Sequence, residues 1–183
     1  MIEHADKPAP APPVRTDRNI VLVGMPGVGK STVGVLLAKA AGLGFLDTDV
    51  YIQSYECRTL QAILDAEGLA NFCRIEEAYI LSLETAATVI ATGGSVVYSE
   101  PAMLHLRSGG MIVHLDLPLD LLVRRLGDLS VRGVVLPAGM DLGDLHRQRQ
   151  PLYRRWAQLT VDCAGKTQER IVDEILAALA HSA

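Results

Sequence analysis

The sequence predicts an α/β fold: a parallel sheet of five strands with helices on both faces. Three observations predict it. Short apolar runs alternate with longer stretches of helical periodicity, the first run passes directly into a glycine-rich loop and a helix, and no internal repeat is present. A chain of 183 residues gives one domain of ordinary size, and its 49% hydrophobic and 21% charged residues are enough for one full core.

Residues 1–17 are rich in proline and alanine and nearly free of large apolar side chains. Such a segment buries too little to fold and reads as a disordered tail, leaving 18–183 as the domain. The expected strands are 20–23, 44–46, 89–91, 111–115 and 159–161, each an apolar run bounded by glycine, aspartate or a helical pattern. The expected helices are 30–41, 69–86, 101–107, 119–126, 152–157 and 168–180. In the last of these Ile171, Ile175, Leu176 and Leu179 form one buried stripe. The stretch 129–145, with three glycines and a proline, has only weak periodicity. A loop of that length inside a compact domain is more often functional than incidental.

A net charge of −4 excludes a nucleic-acid binder that works through a global positive field. No apolar run reaches the length needed to span a bilayer, and the N-terminus lacks a signal-peptide pattern. Three cysteines without CxxC spacing give neither a disulfide framework nor a zinc site, which points to a reducing cytoplasm. The 17 basic residues are four lysines and thirteen arginines. Arginine's fixed fork suits phosphates and carboxylates, so the bias fits an anionic small-molecule ligand, although on a solvated surface it need mean no more than base composition.

The chemistry begins after the first strand. Gly24, Met25, Pro26, Gly27, Val28, Gly29, Lys30 and Ser31 satisfy GxxxxGK[ST] between a strand and a helix, the context that a phosphate-binding loop requires. Backbone N–H groups freed by glycine close around phosphate oxygens, the N-terminus of the helix entered through Thr32 adds its dipole, Lys30 neutralises the β and γ phosphates, and the Ser31 hydroxyl can hold Mg²⁺. A nucleotide held by its phosphates, with Mg²⁺, is therefore expected; that it is ATP is what the family resemblance below implies.

Asp47 and Asp49 follow the second strand, at the end where open parallel sheets place ligands. One can complete a Mg²⁺ shell and the other orient or deprotonate an acceptor hydroxyl; alternatively Asp49 only caps the helix that begins near Val50.

The ordered set GMPGVGKST, LDTDVYI, EGLANFCRIEE, ATGGSVV, Arg124 and Arg125, Arg132, and RQPLYRRWA resembles the shikimate kinase family from Asn19 to Ala180. The resemblance implies a P-loop kinase that moves the γ-phosphoryl group of MgATP to a hydroxyl of a small carboxylated metabolite, shikimate first, in aromatic amino-acid biosynthesis. It implies phosphate and metal contacts at Lys30 and Ser31, metal support at Asp47, the acceptor hydroxyl at Asp49, pocket lining at Gly93 and Gly94, and the acceptor carboxylate at Arg149. It also makes the stretch 129–145 a mobile lid, and puts Arg125 against adenine and Arg132 on the transferring phosphate when the lid closes.

Three positions depart from the family pattern: Cys73 replaces an arginine of the carboxylate clamp, Ser95 replaces the third glycine of a triple, and Gly133 replaces a proline. Arg74 is adjacent to Cys73, but one step along a helix turns a side chain by about 100°. A neutral Cys73 beside Ser95 would tolerate an ammonium group, which makes homoserine an alternative acceptor. A non-catalytic nucleotide-binding module is the alternative of another class. His105, His114 and His146 lack metal spacing, Tyr153 and Trp156 fit core packing, and Arg154 and Arg155 fit a solvated face. A monomer is expected at this length.

Overall fold

The computed structural model describes residues 17–126 and 140–181. The chain runs β1 (Asn19–Val23), α1 (Lys30–Ala41), β2 (Gly44–Asp47), α2 (Thr48–Glu56), α3 (Leu60–Leu81), β3 (Thr88–Ala91), a 3₁₀ turn (Val96–Tyr98), α4 (Glu100–Gly109), β4 (Gly110–Asp116), α5 (Leu119–Leu126), α6 (Leu142–Trp156), β5 (Leu159–Asp162) and α7 (Gln168–Ala180).

The five strands form one all-parallel sheet in the order β2-β3-β1-β4-β5. Every residue of β1 is buried, although alternate side chains point to opposite faces, so both faces of the sheet centre are covered. The main core gathers Ile20, Leu22, Leu37, Ile90, Ile112 and Leu115 with Ile171 and Ile175 of the α7 stripe. A satellite cluster of Ile52, Ile63 and Phe72 fixes α2 against α3.

The chain fills one side of β1 with β2 and β3 and then crosses to the other side for β4 and β5. That reversal opens a crevice at the C-terminal strand ends, beyond Val23, Asp47 and Ala91.

All five expected strands form, within a residue or two at their ends. Three helices differ from expectation. α2 is an element of its own, started by Asp47, whose side chain accepts from the Asp49 and Val50 N–H groups. α3 starts at Leu60 behind the Thr59 cap and ends at Leu81, where the expectation was 69–86. Gly68 interrupts it with φ 73° and ψ 166°, so the glycine is a kink between two helical halves rather than a start signal. α6 begins ten residues before the expected Leu152. A capping box of Asp141 and Asp144 nucleates it, and Pro151 is accommodated inside. Leu142 to Leu145, the end of the expected lid, are thus the first turn of α6. The rest of that lid up to 139, with Arg132 and Gly133, lies outside the described residues, as does the expected tail up to residue 16.

Candidate active site

The loop between β1 and α1 is shaped by its glycines. A Cβ on Gly24 would stand 2.6 Å from the Leu115 carbonyl oxygen, so only glycine lets the loop leave β1 this close to β4. Gly29, the N-cap of α1, has φ 106°, a left-handed backbone that turns the following N–H groups toward the crevice. Lys30 Nζ donates to the carbonyls of Gly24 (2.8 Å) and Met25 (3.1 Å). Burial lowers its pKa to about 8; the charge of Arg149 pushes the same way, and those of Asp49, Asp47 and Glu76 oppose. A buried ammonium in this state gains most from an arriving phosphate. Val28 is buried, and its carbonyl accepts from Arg125 Nη1 at 3.1 Å, which fastens α5 to the loop.

Beside the loop, Asp47 works with both oxygens. Oδ1 caps α2 through the Asp49 and Val50 N–H groups (3.0 and 3.3 Å), and Oδ2 accepts from the Ser31 hydroxyl at 2.6 Å. The residue that caps the helix is therefore Asp47, which leaves the Asp49 carboxyl free to face the cavity. Burial raises the Asp49 pKa, with Lys30 lowering it and Asp47 raising it. The Ser31 hydroxyl and Asp47 carboxylate are hard oxygen donors side by side next to Lys30, a pair that fits a Mg²⁺ ion held mainly by phosphate oxygens.

The crevice is a cavity of about 640 Å³, room for more than one small ligand. Gly27, Gly29, Lys30, Ser31, Thr32 and Arg125 line one part of it, and Asp49, Gly93, Gly94, Ser95 and Arg149 line another. Arg149 is 3% exposed, and its Nε donates to the Tyr98 hydroxyl at 3.2 Å while the guanidinium lies 5.2 Å from the Tyr98 ring centre. A Cβ on Gly94 would stand 2.8 Å from Arg149 Nη1, and one on Gly93 would stand 2.8 Å from Asp49 Oδ1. Bare backbone at 93 and 94 thus leaves both side chains open to a ligand. Thr48 Oγ1 accepts from the Gly93 N–H (3.0 Å), and the Tyr153 hydroxyl donates to the Gly94 carbonyl (2.7 Å), so α2 and α6 hold this turn from two sides.

A model of the family described as shikimate kinase matches residues 26–180. The chain belongs to the shikimate kinase family. Shikimate kinase 2 of Salmonella heidelberg is 34% identical over 168 residues, 89% of this chain and 92% of that protein. Among solved structures, shikimate kinase from Acinetobacter baumannii in complex with shikimate superposes with a TM-score of 0.82 at 31% identity, covering 90% of this chain and 94% of that one. Shikimate kinase from Aquifex aeolicus gives 0.76 at 29% identity over 90% and 97%. The protein is an ATP-dependent small-molecule kinase, as its family and relatives establish.

The residues singled out from sequence on the described chain are brought together, with three qualifications. Cys73 is not part of the cavity lining; it is half-buried and packs against the Ile52, Ile63 and Phe72 cluster, while Phe72 reaches the cavity. Gly24 and Val28 act through their carbonyls on Lys30 and Arg125 rather than by lining the cavity. Arg74 is exposed, as expected of a side chain turned away from the pocket.

Sequence reasoning missed Tyr98, Gln168 at the start of α7, and above all Glu76. Glu76 is 3% exposed, and burial raises its pKa to about 7; Ser95 and the charges of Arg149 and Lys30 moderate the rise, while that of Asp49 adds to it. The available signal was an acidic residue of α3 one turn after Cys73. Tyr153 was expected only to pack, and it both packs and holds Gly94. His114, expected to have no metal role, is buried and stacks on Tyr153 at 5.2 Å.

Proposed function

We propose that the protein transfers the γ-phosphoryl group of ATP to a hydroxyl of shikimate, giving shikimate 3-phosphate. The observation that carries this reading is the buried Arg149 in the same cavity as the phosphate-binding loop and Asp49, because a desolvated guanidinium there selects a carboxylated acceptor. The match to a relative solved in complex with shikimate supports the same acceptor.

The roles follow from position. The loop N–H groups and Lys30 cradle the phosphates, and Ser31 and Asp47 would hold Mg²⁺, which when bound screens the charge on the phosphates. Arg149 fixes the acceptor by its carboxylate, and Asp49 takes the hydroxyl proton as the acceptor oxygen bonds to the γ-phosphorus and the bond to the β–γ bridging oxygen breaks. A raised pKa suits Asp49 to that exchange near neutral pH. Gly93, Gly94 and Ser95 shape the acceptor side, Cys73 acts from behind Phe72, and Thr32 and Arg125 stand toward the nucleotide, Arg125 against adenine. Arg132 reaches the transferring phosphate from the segment 129–139. A monomer acting in the cytoplasm completes the proposal; the three free cysteines and the lack of any membrane-crossing helix among the described residues agree with it.

Homoserine is the second reading, because the buried Glu76 carboxyl packs against Gly93 of the cavity wall, where its charge would favour an ammonium bound on the other side. The test is ADP release from ATP with shikimate, homoserine and similar hydroxy acids. Saturable stimulation by shikimate is expected. Stimulation by homoserine alone would replace it as acceptor.

A further inference from the structure

Tyr98 has no part in the reaction as described, yet it is the side chain most closely engaged with Arg149. Arg149 is 3% exposed, and none of the ion pairs among the described residues includes it. A buried guanidinium without a carboxylate beside it keeps its charge for a ligand, but its long side chain must be held by other means. What holds it is neutral. Nε donates to the Tyr98 hydroxyl at 3.2 Å, and that hydroxyl donates in turn to Gln148 Oε1 at 3.2 Å. Tyr98 ends the 3₁₀ turn Val96–Tyr98, in which Val96 and Val97 are buried and the Tyr98 N–H donates to the Ser95 carbonyl at 2.9 Å. The tyrosine is thus anchored to the same stretch that carries Gly93 and Gly94. On its other side Arg149 has Nη1 against Gly94, where a Cβ would stand 2.8 Å away.

A guanidinium can pair with a carboxylate side-on, through Nε and one Nη, or end-on, through both Nη groups. The Tyr98 hydroxyl occupies the single Nε–H and so closes the side-on approach. We propose that Tyr98 is a positioning residue: its hydroxyl holds Arg149 by Nε so that the two Nη groups alone are presented, end-on, to the acceptor carboxylate. A hydroxyl suits this task better than an acid, because a carboxylate in its place would neutralise Arg149 and compete with the acceptor. The orientation of Arg149 matters the more because position 73 holds a cysteine outside the cavity lining and supplies no second arginine. The inference rests on the reading above, in which Arg149 takes the acceptor carboxylate, and adds which edge of the guanidinium is used and what fixes it.

The test compares shikimate with its methyl ester, which keeps the ring and hydroxyls and lacks the charge, as acceptors for the wild type, Tyr98→Phe, Arg149→Ala and the double variant. The wild type is expected to prefer shikimate by about 100-fold in kcat/KM, the effect of losing a charge-assisted pair. Tyr98→Phe keeps the ring and removes only the hydroxyl of a side chain that is 41% exposed, so the fold should persist. The preference should fall to about 10-fold through a raised KM for shikimate, with kcat and the KM for ATP within about 2-fold of the wild type. Added to Arg149→Ala, Tyr98→Phe should change the preference no further, because the hydroxyl acts only through the guanidinium. Arg149→Lys, which has no Nε–H to hold, replaces the alanine variant if that one fails to fold.

A preference unchanged in Tyr98→Phe, or equal losses with both compounds, would make Tyr98 merely structural and overturn the proposal. So would a further loss of preference when Tyr98→Phe is added to the Arg149 variant. A wild type that phosphorylates both compounds equally well would leave phosphoryl transfer standing and remove the carboxylate clamp, and the role of Tyr98 with it. A wild type that phosphorylates neither would refute the shikimate reading and this inference together.

Discussion

The two ends of the cavity are built on different principles. At the phosphate end the cavity is shaped by backbone set by glycine, and Lys30 is held by carbonyls of its own loop. At the acceptor end the lining includes side chains from separate elements, Asp49 of α2 and Arg149 of α6, packed around the bare turn at Gly93 and Gly94, with Glu76 of α3 buried against that turn. The first end recognises a group common to all nucleoside triphosphates and needs only local sequence. The second must discriminate one small metabolite from another, so it depends on how distant helices are placed, and single substitutions such as Cys73 can alter it without touching the first.

Substitutions at the two ends should therefore fail in different ways. The largest effect is expected for Lys30→Ala, which removes the phosphate counter-charge: kcat should fall by about 10³-fold or more, with the circular dichroism spectrum unchanged. Asp49→Asn should follow, lowering kcat by about 10²- to 10⁴-fold while ATP affinity in a binding titration stays near the wild-type value. Arg149→Ala should act mainly on the acceptor, raising its KM by about 100-fold and leaving the KM for ATP nearly unchanged. Equal losses for both substrates in Arg149→Ala would break the division between the two ends.

The smallest effect concerns stability and its dependence on pH. Burial raises the Glu76 pKa from an ordinary 4.5 to about 7, so the folded chain holds this proton more tightly than the unfolded chain. The stabilisation from that proton is complete below about pH 4.5 and is lost as the pH rises to 7; Asp49 shifts in the same direction. Lys30, lowered to about 8, has the opposite slope, from there up to its ordinary 10.5. Thermal melts of the ligand-free protein at pH 5 and pH 8 should thus find Glu76→Gln gaining on the wild type at the higher pH by about 1 to 3 kcal/mol. A constant difference between the two proteins would mean that Glu76 keeps an ordinary pKa.

Legibility in the sequence followed the same division. The strands, α1, α5 and α7 could be read because apolar period and loop chemistry are local, and the phosphate loop was complete in eight residues. The kink at Gly68 and the early start of α6 were not, since a glycine and a proline that normally end helices are here kept inside them by tertiary packing. The same limit hid Glu76. Its place beside the site depends on the approach of α3 to Gly93, a contact between residues far apart in the chain. Cys73 is the opposite case: its departure from the family pattern predicts a place in the pocket wall, whereas helical phase turns it toward the satellite cluster. Asp47 and Asp49 could not be told apart by spacing alone, and the hydrogen bonds of the α2 cap assign them different tasks.

The most direct test of the account is identification of the product after incubating the wild type with ATP, Mg²⁺ and shikimate. Phosphorus NMR and mass spectrometry should find one phosphomonoester, on the 3-hydroxyl of shikimate, formed in step with ADP and absent with Lys30→Ala. ADP formed at the same rate with and without shikimate, and no phosphorylated shikimate, would contradict it.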